Sequence, residues 1–245
     1  MNIFSNLFSK DPSSKQSTFD LGLIDALNLK KPQQAIEAIE LGANPNSFYD
    51  QYLPAIYIAA NRDYYDVVKL LIDKGANINA KGSSKKMDIK DGFALLTSSA
   101  RGNIDITRLL IENNAEIDLT ENSGLTSLMS ASFKGMDTIV KYLINKGASI
   151  EQKDNFGYTA LMFAVNAGKL NCAEILIDNG ANINAKDKDN STPIMFASQH
   201  GFNDVVNLLL KNGADKFEKG KHGLNAIDFA RQNNLEKTIE ILEQK

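Results

Sequence analysis

The chain has 245 residues, of which 43% are hydrophobic, and its formal net charge is -3. Phosphate binding needs a concentrated basic face, so this charge balance predicts no nucleic-acid partner. The single cysteine, Cys172, excludes an intrachain disulfide framework and is typical of a reducing compartment, so we expect a cytoplasmic protein.

Residues 1–15 are expected to form a flexible tail. They lack a basic stretch followed by about 7 to 15 apolar residues, and no run of about 18 apolar residues occurs anywhere in the chain. We therefore expect neither a Sec signal nor a transmembrane segment. A helix here would carry one apolar face, which leaves contact with a membrane or a partner open beside the alternative of a loose tail. That face would hold Ile3, Phe4, Leu7 and Phe8.

A six-residue string then recurs along the chain. Gly-Ala-Asn-Ile-Asn-Ala begins at Gly75 and again at Gly180, and variants of it occur four more times. Successive copies are 33, 39, 33, 33 and 33 residues apart. A fixed period of this length indicates one supersecondary unit stacked many times, so residues 16–245 are predicted to be an array of seven repeats. The approximate repeat boundaries are 16–48, 49–87 with a six-residue insertion, 88–120, 121–153, 154–186, 187–219 and 220–245.

Each repeat is expected to hold two short helices. Thr126, Thr159 and Thr192 stand where the N-cap of a first helix belongs, and a glycine nine residues later would end that helix in a left-handed conformation. A second apolar run follows, as in residues 67–72, and ends at the repeated Gly-Ala. The pattern predicts helix pairs with short connections.

Four repeats lack a glycine at one of these helix ends, and in the first repeat Lys30 stands in its place. Asn114 replaces it after a second helix, while Asn234 and Asp63 replace it after a first helix. Asn is the side chain that best tolerates a left-handed backbone, and Asp does so less well. We therefore expect all three residues to adopt that conformation.

Two columns of residues are predicted to build the core. Small side chains hold the sixth place of every repeat, which lets neighbouring helices approach closely. They are Ala26, Ala59, Ser98, Ala131, Ala164, Ala197 and Ala230. Met129, Met162 and Met195 recur at 33-residue spacing and are expected in the core, rather than forming a soft metal or ligand stripe. Cys172 is likewise expected to be a buried apolar side chain and not a nucleophile.

These features, T-x-L-x-x-A, a first helix, a second helix with V-V-x-L-L and then G-A-N-I-N-A, resemble the ankyrin repeat over nearly the whole chain. The resemblance implies an all-α solenoid whose repeats each pair two antiparallel helices with a β-turn finger. It also implies protein binding along the fingers and inner helices of a concave face. The histidine of the family's T-P-L-H is replaced by Met129, Met162 and Met195, so its hydrogen bonding is expected to be absent.

The two ends carry the polar substitutions expected of capping repeats. Gln34 and Glu37 replace apolar residues in the first repeat, and the last repeat stops after Leu242 without another Gly-Ala finger. We expect a complete array. The insertion falls within residues 81–91, and both a longer finger that contacts the partner and a neutral surface insertion remain open.

No residue pattern supports catalysis. His200 and His222 lack the spacing of a zinc site, and no phosphate-binding loop or nucleophile elbow is present in the sequence. We expect no enzyme, no catalytic residue, no metal and no cofactor.

The variable positions of the repeat, which are the finger tips and the ends of the first helices, are the predicted binding surface. Aromatic residues and arginine are the usual hot spots of interfaces. For Tyr158, Leu125, Phe156 and Phe133 the alternative is packing within the array. The predicted partner-binding residues are Tyr49, Tyr52, Arg62, Ile89, Arg101, Leu125, Phe133, Lys134, Phe156, Tyr158, Lys188 and His200.

The sequence therefore predicts a non-enzymatic protein-binding module that is monomeric when unbound. Two alternatives use the same surface: an inhibitor or immunity protein for a toxin or enzyme, and an effector delivered into another cell without a Sec signal. A composition rich in Asn, Lys and Ile suggests an AT-rich genome and a bacterial source. The partner itself is not identified by the sequence.

Overall fold

The computed structural model describes residues 12–49, 53–84 and 89–244, excluding the side chains of residues 12–17, 49, 89 and 90. The described residues form fourteen helices and two short antiparallel hairpins. The helices are α1 (Pro12–Asn28), α2 (Pro32–Glu40), α3 (Ala55–Asn61), α4 (Tyr65–Asp73), α5 (Ala94–Arg101), α6 (Ile104–Glu112), α7 (Ser127–Lys134), α8 (Asp137–Asn145), α9 (Ala160–Asn166), α10 (Leu170–Asp178), α11 (Pro193–His200), α12 (Asn203–Lys211), α13 (Ala226–Gln232) and α14 (Glu236–Glu243). The strands are β1 (Phe48–Tyr49), β2 (Leu53–Pro54), β3 (Gly82–Ser84) and β4 (Ile89–Gly92).

The chain divides into two compact units. The first takes in the chain up to Ser98 together with Asn103–Glu116, and the second takes in Ser99–Gly102 with Ile117–Lys245. Inside each unit, the first helix of a repeat packs on the first helix of the next, and second helices pack on second helices. Both units are thus all-α stacks of helix pairs. None of the helices in the described residues is long and apolar enough to cross a membrane.

The first helices begin at the predicted caps. The Thr126 hydroxyl accepts a hydrogen bond from the Met129 amide at 3.2 Å, and Thr159 caps α9 in the same way. The expectation that the hydrogen bonding of the family histidine is absent is wrong in part. The Met129 sulfur accepts a hydrogen bond from the Thr126 amide at 3.5 Å, and Met195 accepts one from Thr192. A thioether is a weak acceptor, so the turn keeps a weaker bond at this place.

The left-handed helix ends are confirmed. Asn114, Asn234 and Asp63 have φ values of 67°, 55° and 60°. Lys30 adopts the same conformation, with φ 59°, although its side chain has no local advantage there. The repeat geometry imposes this backbone whatever the residue.

The N-terminal boundary differs from the expectation of a flexible tail over residues 1–15. Helix α1 begins at Pro12 and runs for 17 residues, so residues 12–15 are helical. After Pro12, no Gly or Pro interrupts the sequence up to Asp20, and Pro is well suited to the first helical position. Residues 1–11, with their possible apolar face, lie outside the described residues.

The core contains the predicted columns. Met129, Met162 and Met195 are each at most 1% exposed, and Cys172 is fully buried. The small residues of the sixth place are buried as well. These methionines pack between neighbouring helices, which excludes them as an exposed ligand stripe.

Side chains of the repeated string link each repeat to the next. The Asn184 carbonyl oxygen accepts a hydrogen bond from the Asp215 amide at 2.8 Å, while its amide group donates to the Gly213 carbonyl at 3.3 Å. Asn46 makes the same pair of bonds with Asn77 and Gly75. We call the residues that accept such a bond the acceptor ladder. Its members are Asn46, Asn79, Asp118, Glu151 and Asn184.

The six-residue insertion extends one finger into a hairpin. Gly82 pairs with Gly92 and Ser84 with Ile89, with an irregularity between the two pairs. The Ser83 hydroxyl donates to the Asp91 carboxylate at 2.8 Å and accepts from the Asp91 amide at 2.9 Å. The tip, residues 85–88, lies outside the described residues, so contact with a partner stays a prediction.

We expect Asn184→Ala to lower the free energy of unfolding by about 0.5–1 kcal/mol, because an exposed hydrogen bond between repeats is lost. Asn184→Asp should lose less, because it keeps the acceptor, as Asp118 does at the same place in its repeat. Urea unfolding followed by circular dichroism measures both values. Equal losses in the two variants would contradict a stabilising role for the accepted bond.

Candidate functional site

Three fingers of the second unit begin with a carboxylate that organises the finger tip, whereas the last finger begins at Gly220. Asp154 is buried, and its Oδ1 accepts hydrogen bonds from the Phe156 amide at 2.9 Å and the Tyr158 amide at 2.8 Å. Glu121 and Asp187 hold the equivalent amides of their own fingers. In each of these three fingers the carboxylate therefore satisfies two backbone donors of its own turn and closes that turn.

Neighbouring fingers are also bonded to each other through their backbones. The Lys188 amide donates to the Phe156 carbonyl at 3.0 Å, and the Asn155 amide donates to the Ser123 carbonyl at 2.8 Å. Gly157 has φ 89°, and a Cβ there would lie 2.9 Å from the Lys188 amide nitrogen. Only glycine therefore fits this close approach without strain. The finger tips form a continuous, rigid edge.

Four aromatic rings line the first helices beside this edge. Phe133 and Phe163 meet edge to face with centroids 6.3 Å apart. Tyr158 contacts Phe163 at 5.8 Å and Phe196 at 5.3 Å, again edge to face. We call Phe133, Tyr158, Phe163 and Phe196 the aromatic row. Edge-to-face pairs of this kind add to the stability of the packing beyond their buried area.

Of the predicted residues around the row, some are exposed and some serve packing. The Phe156 side chain is 64% exposed at its finger tip, and Phe133 is 41% exposed at the end of α7. Tyr158 is half-buried within the row, so packing between repeats accounts for its conformation, and Leu125 is half-buried too. Lys188 is exposed on the next finger.

Two further predicted residues lie at first-helix ends in this unit. The Lys134 ammonium lies 5.5 Å from the centroid of the Phe133 ring. His200 is exposed, its Nε2 lies 3.1 Å from the Asn166 side-chain oxygen, and its ring stacks on Phe202. The second unit thus brings Phe133, Lys134 and Tyr158 together in one contiguous group.

The other predicted residues do not join this group. Arg62 ends α3 in the first unit, where it is half-buried and its Nη1 has no hydrogen-bond partner. Tyr49 and Ile89 lie in β1 and β4 of the first unit, and their side chains are outside the description. Tyr52 lies outside the described residues, while Arg101 is exposed at the end of α5.

Sequence reasoning missed Phe163 and Phe196. Both hold the fifth place of their repeats, directly after the methionine column, and Phe229 holds it in the last repeat. The 33-residue spacing of three phenylalanines was the available signal. The fifth place lies inside the first helix and not at a finger tip or a helix end, where the sequence predicts binding residues.

Cys172, the one cysteine of the second unit, is held in its protonated form. Burial, and the hydrogen bond that its Sγ donates to Asp137, raise the pKa of the Cys172 thiol far above its usual range. Burial raises the pKa of Tyr158 as well, assisted by Asp187, Asp154 and Asp189. Within the described residues, no group of three His, Cys, Asp or Glu side chains could hold a metal ion.

The exposures of Phe156 and Tyr158 predict different effects on stability. Phe156→Ala should change the free energy of unfolding by less than about 0.5 kcal/mol, since the ring is mostly in solvent. Tyr158→Ala should cost about 1–3 kcal/mol, because it removes a ring packed against Phe163 and Phe196. Urea unfolding measures both. A large loss for Phe156→Ala would show that its finger needs the ring.

The raised pKa of Cys172 predicts a loss of stability at alkaline pH. The thiol ionises near its ordinary pKa of 9.0 in the unfolded chain but stays protonated in the folded one. Its contribution is therefore complete below about pH 8.5 and declines as the pH rises above that value. Cys172→Val, which copies Val205 of the sister repeat, should lose less stability between about pH 8 and pH 10 than the unaltered chain. Equal losses by urea unfolding would contradict this assignment.

Comparisons with known proteins agree with this architecture. The family model described as ankyrin repeats (3 copies) matches residues 58–154 and 149–220, which is more than half of the chain. The chain is also similar to the ankyrin repeat and KH domain-containing protein mask-1 of Caenorhabditis elegans, with 36% identity over 93 residues. That match covers 38% of this chain and only 3% of mask-1, so the chain spans a small part of that relative. Helix pairs, fingers and the matched residues together show that the chain belongs to the ankyrin-repeat family.

Proposed function

We propose that this chain is a non-enzymatic module that binds a partner protein through the inner surface of its second unit. We define that surface as the finger tips of residues 121–125, 154–158 and 187–191, the aromatic row, and the exposed ends of the first helices. Ankyrin repeats are generally protein–protein interaction modules and the family is typically non-enzymatic. In this chain, we assign the protein binding typical of the family to the inner surface defined above.

The observation that carries the proposal is the exposed ring of Phe156 on a fixed backbone. The Phe156 amide is bound to Asp154 and its carbonyl to the Lys188 amide, yet its side chain is 64% exposed. A large apolar side chain held in solvent on an ordered backbone loses little conformational freedom when a partner covers it. Such preorganised aromatic residues are typical anchors of interfaces.

The binding free energy from this surface supports a specific complex only when several residues are buried by the partner together. Burying the exposed parts of Phe156 and Phe133 would contribute roughly 5 kcal/mol at about 25 cal/mol per Å². Association costs about 4–15 kcal/mol. The Lys134 ammonium lies 5.5 Å from the Phe133 ring, and Lys188 is bound through its amide to the Phe156 carbonyl. These two cations would supply polar contacts that set orientation and specificity.

We propose further that the chain acts in the cytoplasm and is a monomer when no partner is bound. A single buried, protonated thiol suits a reducing compartment. A cytoplasmic inhibitor of a toxin or enzyme, or an effector delivered into another cell, would use the same surface in a narrower role. The identity of the bound partner separates these three roles.

The test compares two exposed phenylalanines. Phe156→Ala should reduce recovery of the partner from the native cell at least about tenfold, since it removes the central anchor. Phe217→Ala is the matched control, because Phe217 is 72% exposed in the same unit but lies on the turn after α12, away from the first helices. Quantitative mass spectrometry of proteins recovered with each variant gives the ratios.

Two outcomes of the same experiment would contradict the proposed binding surface. Proteins recovered equally well with the unaltered chain and Phe156→Ala would place binding elsewhere. Selective loss with Phe217→Ala would move the interface to the turns after the second helices. Circular dichroism of both variants must show the unaltered helix content.

A further inference from the structure

We propose that the partner presents an acidic edge beside an apolar stripe, and that this edge lies along the first-helix ends of the second unit. The inference rests on the proposed function and specifies the chemistry of the partner. It follows from the distribution of charge on the inner surface, which is uneven although the whole chain is acidic.

Cations recur at one place of the repeat. Arg101 and Lys134 both hold the ninth place, in the last turn of α5 and α7, and both are exposed. His200 holds the same place two repeats further on, with Ala167 between. Among the residues that the structure describes, neither Arg101 nor Lys134 has a carboxylate within salt-bridge distance.

The last two places of these first helices carry no carboxylate, and the nearest ones along the chain, Asp105 and Asp137, stand at the starts of the second helices. The eighth and ninth places of the repeats in this unit carry apolar, amide or basic side chains only, although acidic residues outnumber basic ones in the chain by three. These places are Ala100, Arg101, Phe133, Lys134, Asn166, Ala167, Gln199, His200, Gln232 and Asn233. The helix-end edge is therefore positive in an acidic protein.

The carboxylates of the inner surface lie on the opposite, finger edge. Asp154 and Asp187 are directed at finger amides, and Asp189 pairs with Lys221 at 2.8 Å. Burial raises the pKa of the Tyr158 phenol most, and the charges of these three carboxylates raise it further. The aromatic row thus separates a positive helix-end edge from a finger edge that holds these carboxylates together with Lys188 and Lys221.

The uneven distribution of charge favours some classes of partner over others. A nucleic acid presents phosphates along its whole length and would meet carboxylates at the finger edge, where like charges repel. A protein segment can place apolar side chains on Phe133 and Phe156 and acidic side chains on one flank only. Charge complementarity therefore favours an amphipathic acidic segment of a protein.

Cations at helix C-termini also stabilise the helix dipole, so a matched control is needed. Lys211 provides one: it is exposed in the last turn of α12, a second helix of the same unit. If the helix dipole alone explained Arg101 and Lys134, reversing Lys211 would have the same consequences as reversing either of them.

The experiment selects random displayed peptides of roughly 16 residues on the full chain, then measures the affinity of the enriched peptides by fluorescence anisotropy. The proteins compared are the unaltered chain, Arg101→Glu with Lys134→Glu, Lys211→Glu and Phe156→Ala. Enriched peptides should carry more Asp and Glu than the input library. They should bind the double variant at least about tenfold more weakly and Lys211→Glu within about twofold of the unaltered chain.

The outcomes separate this inference from the proposed function. Enriched peptides that are neutral or basic, or that bind the double variant normally, overturn the acidic edge; if they still depend on Phe156, the binding surface stands. No enrichment, or enriched peptides indifferent to Phe156→Ala, would contradict both. Tight binding of a DNA duplex of about 20 base pairs, lost in the double variant, would assign the cations to nucleic acid instead.

Discussion

The backbone N–H and C=O groups of the turns and fingers need hydrogen-bond partners, and a single repeat cannot supply partners for all of its own groups. Helices satisfy most of their amides internally, but the turns after α4, α6, α8, α10 and α12 each expose a donor to the preceding repeat. The Asn46 side-chain oxygen accepts a hydrogen bond from the Asn77 amide in the first unit, and the Asn184 side-chain oxygen accepts one from the Asp215 amide in the second. Stacking therefore completes each repeat's hydrogen bonding as well as its core.

The finger edge and the binding surface both follow from this constraint. Because Asp154 and the neighbouring finger fix the backbone around Phe156, the Phe156 ring itself is not needed to hold the finger together. The structure thereby divides the aromatic residues into two roles. Tyr158 and Phe196 pack between repeats, whereas Phe156 and the outer part of Phe133 are available to a partner.

Much of the fold could be predicted from the sequence because period, caps and core residues repeat. Thr126 at a helix start and Asn114 at φ 67° are local signals that need no knowledge of neighbours. The acceptor ladder could not be predicted, because the role of Asn184 depends on which amide of the next repeat lies opposite it. Tyr158 shows the same limit: its sequence position is variable, yet its ring packs on Phe163.

The most direct test of the account is site-specific photo-cross-linking in the native cell. A benzophenone amino acid in place of Phe156 should cross-link to one predominant protein, whereas the same group in place of Lys141, exposed on the second helix α8, should not. This result would place the partner on the inner surface of the second unit. Cross-linking of the same protein from position 141 but not from position 156 would contradict the account.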